Sequence, residues 1–222
     1  TLADSTSIDG GAGTDRVAKT VSVTSTSTSS VAGSLIAVAD DITPTLTSVE
    51  SLYLLVDGDA GSATDYVVAD LSKATSLTSL FLGTDSTSGT GYVSIKDFAG
   101  SSVTAYGGIT GTTAETENLK LDGIGQSALT LNLENFNETT ALTVTGVSAF
   151  TVNGKSTSQF TGNADQDNTL GAITAASVDS LTIKTSGSAA ANASALTVGA
   201  VSASAASTLT VTAANNDEIE MG

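Results

Sequence analysis

The sequence predicts an all-β fold, a β-solenoid or parallel β-helix-like stack of short strands, and three observations predict it. Leu119-Lys120-Leu121, Leu129-Thr130-Leu131-Asn132-Leu133, Leu142-Thr143-Val144-Thr145 and Phe150-Thr151-Val152-Asn153 each alternate apolar with polar residues. That is the period of a strand with one buried face. Gly, Asn or Asp closes each run, and these residues tolerate the backbone of tight turns. The cassette then returns as Leu181-Thr182-Ile183, Leu196-Thr197-Val198 and Leu209-Thr210-Val211-Thr212. A pair of β-sandwich domains is the alternative, and a few short helices are expected between strands.

Composition fits tightly stacked sheets. The chain has 222 residues and is 40% hydrophobic but only 4% aromatic, so its core is built from Ala, Val and Leu with Thr on the pleat. It contains 22 glycines and one proline, as many tight turns require. The whole chain reads as one elongated segment, with residues 107–118 as the one place for a sub-boundary. It begins at Thr1 without Met and is read as part of something longer.

The residues that are missing exclude chemistry. With no Cys and no His, neither a disulfide nor a thiolate or imidazole metal site is available, and the usual general base is gone. The 23 acidic and 7 basic side chains give a net charge of −16. Such a surface repels nucleic acid and anionic membrane, which need clustered Lys and Arg. Hard cations, Ca²⁺ or Mg²⁺, are the partners that carboxylates and carbonyls favour. No run approaches the roughly 20 apolar residues of a membrane-spanning helix.

Taken in order, the chain opens with Asp9-Gly10-Gly11-Ala12-Gly13-Thr14-Asp15-Arg16-Val17, which fits the calcium nonapeptide G-G-x-G-x-D-x-U-x. In that pattern glycines turn carbonyls inward, Asp15 supplies a carboxylate and Val17 anchors the next strand in the core. One full copy is present, so Asp9, Gly11, Gly13 and Asp15 form half of a Ca²⁺ site or a plain turn that starts a strand.

Val21 and Val23 alternate with Ser22 and Thr24 as a strand running into a polar loop, and residues 31–39 form a strand or short helix. Pro44 marks a turn. Residues 49–56 make the strongest apolar strand of the first half and end in an acidic loop, where Asp57, Asp59 and Asp65 alternate with glycines. Those carboxylates converge on a cation if the loop curls; a solvated turn is the plainer reading.

Residues 77–82, 92–96 and 103–106 continue the strand theme, while residues 65–73 place Val67, Val68 and Leu71 at helical spacing. Residues 155–171 read as a polar surface loop in which Asp165 and Asp167 are further cation candidates. The Ala-rich residues 172–180 and 189–195 read as short helical turns, and residues 215–220 as an acidic cluster.

The Asp-Gly-Gly-Ala-Gly-Thr-Asp turn at residues 9–15, followed by Ser48-Val49-Glu50-Ser51-Leu52-Tyr53-Leu54, resembles the repeating unit of calcium-dependent bacterial surface-layer proteins of the type I-secreted, RTX-like kind. The specific motifs cover residues 9–17 and 48–56, and the rest is similar in style. The resemblance implies an extracellular protein at the bacterial cell surface, ordered by Ca²⁺. It would pack beside copies of itself in a two-dimensional lattice and bind lipopolysaccharide or another surface glycan through regions outside this chain. Tandem copies of the calcium turn, common near the secretion end of such proteins, do not follow.

A catalytic reading is disfavoured. A polysaccharide lyase of solenoid shape needs clustered basic residues, and the single Arg and six Lys are scattered. A glycosidase needs two carboxylates at a set separation, yet the acids here sit in Gly/Ser loops. The remaining contest is between a lattice-forming coat protein and a Ca²⁺-stiffened adhesin that binds an external glycan or protein.

Overall fold

The computed structural model describes residues 7–21, 41–57, 66–85, 90–106, 116–155, 167–186, 195–214 and 217–222. The strands of the first half are β1 (Ser7–Asp9), β2 (Arg16–Val21), β3 (Thr45–Thr47), β4 (Ser51–Asp57), β5 (Val67–Asp70), β6 (Ser79–Asp85), β7 (Thr90–Lys96) and β8 (Ser102–Tyr106). Those of the second half are β9 (Thr116–Asp122), β10 (Gln126–Glu134), β11 (Asn137–Val144), β12 (Val147–Lys155), β13 (Asn168–Thr174), β14 (Ser180–Ser186), β15 (Ala195–Ser202), β16 (Thr208–Thr212) and β17 (Glu218–Met221).

The chain deals these strands alternately to two sheets. From β2 to β16 the even-numbered strands form one sheet in order, and from β5 to β17 the odd-numbered strands form the other. Every strand in them runs parallel to its neighbours, and β1 pairs parallel with β3. Each turn of the chain therefore adds one strand to each sheet, which is a solenoid. Both sheets run on across residues 107–118, where β8 pairs β10 and β7 pairs β9.

Parallel pairing stacks like positions into columns, and this is how the Leu-Thr-Val cassette becomes a core. Leu52, Leu80, Val103, Leu131, Val152, Ile183 and Val211 are successive partners in one column. All are buried except the last. Opposite them Leu142, Ile173 and Val201 form a column of the second sheet. Phe98, Ile124, Phe136 and Val178 close the corners, fully buried. Sequence separations between hydrogen-bonded neighbours in adjacent rungs range from 19 residues, Leu119 to Glu138, to 37, Gly10 to Thr47. The columns keep register while the connections absorb the difference.

Helices are absent among the described residues, which corrects two expectations. Residues 65–73 hold strand β5, with Val67 and Ala69 buried and Val68 and Asp70 half-buried. Pairing with β7 outweighs the helical spacing of three apolar residues, and the β-branched valines suit it. Within residues 172–180, β13 runs to Thr174 and a turn follows, in which the Val178 amide donates to the Ala175 carbonyl. Residues 22–40 and 189–194 lie outside the described part.

Three buried polar side chains explain an irregular stretch of the second sheet. The register of β11 shifts against both β9 and β13, and a bulge leaves ladder groups without their usual partners. Glu138, 0% exposed, accepts from the Leu119 amide at 3.0 Å. Asn118 accepts from the Thr140 amide at 3.1 Å. Asn168, expected in a surface loop, is fully buried at the start of β13 and accepts from the Phe136 amide at 3.0 Å. Each supplies an acceptor that an apolar residue cannot.

Candidate functional site

Because the sheets are parallel, the starts of the even-numbered strands line one edge of the solenoid and their ends line the other. The glycine turn lies at the first edge. Gly11 and Gly13 have φ of 80° and 128°, left-handed conformations that cost a side-chained residue about 1–2 kcal/mol. The Gly11 amide donates to Asp9 Oδ1 at 3.0 Å and the Gly10 amide to the Thr47 carbonyl at 2.8 Å. A Cβ at Gly10 would overlap the Ser48 carbonyl oxygen and lie 2.8 Å from Asp15 Cβ. The turn is thus pressed onto the next rung.

That rung brings a residue that sequence reasoning left out of the site. The Asp15 amide donates to Glu50 Oε2 at 2.6 Å, while the Asp15 carbonyl accepts from the amides of Glu50 and Ser51 at 3.3 and 3.1 Å. Asp15 Oδ2 is enclosed and has no hydrogen-bond partner among the described residues. Two carboxylates of adjacent rungs and the Ser48 carbonyl therefore gather round the turn. They are hard oxygen donors, the kind that Ca²⁺ takes. Among the described residues no group of three acidic side chains is placed to hold a metal ion, so the donors fit Ca²⁺ in kind and amount to part of a coordination shell. Glu50 stands in the motif Val49-Glu50-Ser51-Leu52, but only the 35-residue rung brings it against Asp15.

Two of the other candidates, Asp57 and Asp167, fall at the opposite edge. Asp57 ends β4, where its backbone pairs with Asp85 of β6; its side chain lies outside the described part, as do Asp59, Asp65 and Asp165. Asp167 is exposed just before β13, and its Oδ1 accepts from the Ala195 amide of the next rung at 3.0 Å. This carboxylate has a rung-to-rung structural bond. The sequence grouped the acids as one kind of loop, and among the described residues the topology sets Asp9 and Asp15 at one edge of the solenoid and Asp57 and Asp167 at the other.

The face of the first sheet turned from the core carries ladders of its own. Tyr53 and Phe81 stack at 4.1 Å with planes 8° apart, Phe81 and Tyr106 follow at 6.3 Å and 11°, and the Arg16 guanidinium lies 3.6 Å over Tyr53. Rings stacked along the solenoid axis present edges outward, and a sugar platform requires an open ring face. Next to them Lys155 Nζ pairs with Glu134 Oε1 at 3.0 Å, and the Glu134 side chain is 2% exposed. Asn153 donates to Asn132 at 2.9 Å in the adjoining column. On the other sheet Lys120 Nζ lies 3.6 Å over Tyr66, whose ring meets Tyr92 edge-on.

Burial pushes the Tyr106 phenol above its ordinary value of 10.0, and the neighbouring Glu134 and Tyr53 add to the shift while Arg16 opposes it. Folding thus favours the neutral phenol. As pH rises past about 10 the unfolded chain loses this proton first, so stability falls with rising pH. Tyr106→Phe is expected to reduce the drop in denaturation midpoint between pH 9 and pH 11. An unchanged drop would place the alkaline sensitivity elsewhere.

The described residues contain no helix long and apolar enough to cross a membrane. No protein-family model, no curated protein and no solved structure matches this chain, so the functional argument rests on its own residues and geometry.

Proposed function

We propose that this chain is a non-catalytic structural segment of a secreted bacterial surface layer, self-assembling at the cell surface and stabilised by Ca²⁺. The observation that carries the reading is the docking of the Asp9–Asp15 glycine turn on Glu50 of the next rung, with Asp15 Oδ2 enclosed and without a hydrogen-bond partner among the described residues. A divalent cation there ties two rungs together and relieves the repulsion of two adjacent carboxylates. Elsewhere it reduces the mutual repulsion of copies that each carry −16. The body that it stiffens is a continuous pair of parallel sheets whose columns extend through both halves of the chain.

Extracellular Ca²⁺ sites bind at about 10⁻⁴ to 10⁻³ M. At 10 mM Ca²⁺ such a site contributes roughly 1.4–2.7 kcal/mol, or about 3–10 °C in melting temperature for a chain of this size. Thermal melts with 10 mM Ca²⁺ and with EGTA are expected to differ by that amount, and Asp15→Ala is expected to lose most of the difference. Identical melts of the unaltered chain in both conditions count against Ca²⁺ stabilisation. An adhesin, the second reading, would gain the same stability from Ca²⁺ yet stay dispersed.

A further inference from the structure

With no Cys, His or Trp in the chain, its oxidisable side chains are one Met and four Tyr. Two of the tyrosines meet. Tyr66 stands directly before β5 and Tyr92 lies in β7, and the register of Val67 on Val93 and Val68 on Ser94 sets them at one level on successive rungs. Val67 and Val93, the next residue of each strand, are buried in the core, so both rings lie on the outer face of the second sheet. Their centroids are 5.3 Å apart with planes at 81°, an edge-to-face contact. The other two tyrosines are kept apart. Phe81 stacks between Tyr53 and Tyr106 on the first sheet.

We infer that Tyr66 and Tyr92 are a site of oxidative cross-linking, joined ring to ring as dityrosine by hydrogen peroxide and an oxidant of the haem-peroxidase class. First, the parallel register holds one phenol against the other on strands about 4.8 Å apart, so each meets its partner at the effective concentration of a tethered group. Second, both rings are half-buried. They are open enough to give up an electron at the surface, whereas Tyr106 is enclosed at 3% exposure. Third, the Lys120 ammonium lies 3.6 Å over the Tyr66 ring, a cation–π contact that holds the ring in place. Coupling between chains is opposed by the mutual repulsion of copies that each carry −16.

The reaction balances without any further reactant. Each phenol gives one electron and one proton to the oxidant, and the two hydrogens reduce one hydrogen peroxide to two waters. The two phenoxyl radicals then form a carbon–carbon bond between ring positions next to the oxygens. The hydrogen on each coupled carbon moves to its own phenolic oxygen, which restores both aromatic rings and both hydroxyls. The product ties β5 to β7 across residues 26 apart in sequence. Such a tie constrains the unfolded chain as a disulfide does, in a protein that has no cysteine to make one. The inference stands apart from the glycine turn and from Ca²⁺.

Treatment of the purified 222-residue chain, at low micromolar concentration, with a haem peroxidase and limiting hydrogen peroxide tests it. The expected product is a monomer lighter by two hydrogen atoms, with dityrosine fluorescence and a higher melting temperature than the untreated chain. Tryptic digestion is expected to leave the peptide ending at Lys73 joined to the peptide ending at Lys96. Tyr66→Phe and Tyr92→Phe keep the ring contact and are each expected to abolish the monomeric product, while Tyr53→Phe/Tyr106→Phe is expected to retain it. Dityrosine found only in dimers and larger species overturns the inference. So does a monomeric cross-link that survives Tyr92→Phe, or a treated chain that carries no dityrosine at all.

Discussion

Phe150→Ala is expected to destabilise the chain by about 3–5 kcal/mol, the range for removing a fully buried aromatic side chain. Phe150 is 0% exposed on β12, stacked in register between Leu129 of β10 and Leu181 of β14, each about 1% exposed. Its ring therefore fills a position that the rungs on either side have already closed. In-register sheets relax poorly, because moving one rung into a cavity strains the ladders to both neighbours. For a domain whose whole stability is about 5–15 kcal/mol, the loss is a large part. Urea unfolding gives the readout, with Phe150→Leu as the control expected to cost far less. Equal midpoints for Phe150→Ala and the parent chain would mean that the column is not packed as described.

Gly199→Ala is the second large effect, and it comes from backbone rather than core. Gly199 of β15 lies on Gly171 of β13. A Cβ at Gly199 would fall on the Gly171 carbonyl oxygen and lie 2.8 Å from its carbonyl carbon. These are backbone atoms, held by the ladder on both sides, so no side-chain rotation relieves the clash. Forcing them apart is expected to cost about 1–3 kcal/mol or more. Gly125→Ala is the matched control, since nothing lies within 4 Å of a Cβ there; it is expected to be neutral or slightly stabilising through the unfolded chain. If the two substitutions behave alike, the close approach of β13 and β15 is wrong.

Strand existence was legible in the sequence because the cassette carries its own period. Leu129-Thr130-Leu131-Asn132-Leu133, Phe150-Thr151-Val152 and Leu181-Thr182-Ile183 all lie in strands with the apolar positions buried. Partner choice was not legible, because the column Leu52, Leu80, Val103, Leu131, Val152 is spaced unevenly and no fixed repeat length reveals it. Glu138 and Asn168 break the apolar rule for a reason that only the bulge in β11 discloses. Val67, Val68 and Leu71 misled because three apolar residues fit a helix as well as a strand and a corner.

The candidate site followed the same division. The Gly-Gly-Ala-Gly-Thr-Asp turn was readable from local chemistry, and Gly11 and Gly13 have the positive φ that the motif demands. Its partner Glu50 was not, since the contact depends on a rung 35 residues long. Asp9 and Asp15 on one edge, and Asp57 and Asp167 on the other, appeared alike only while the topology was unknown.

Electron microscopy of the purified chain, with and without millimolar Ca²⁺, tests the central claim most directly. The account predicts ordered sheets of laterally packed copies with Ca²⁺ and their dispersal by EGTA. Particles that remain separate in Ca²⁺ at every concentration would contradict it.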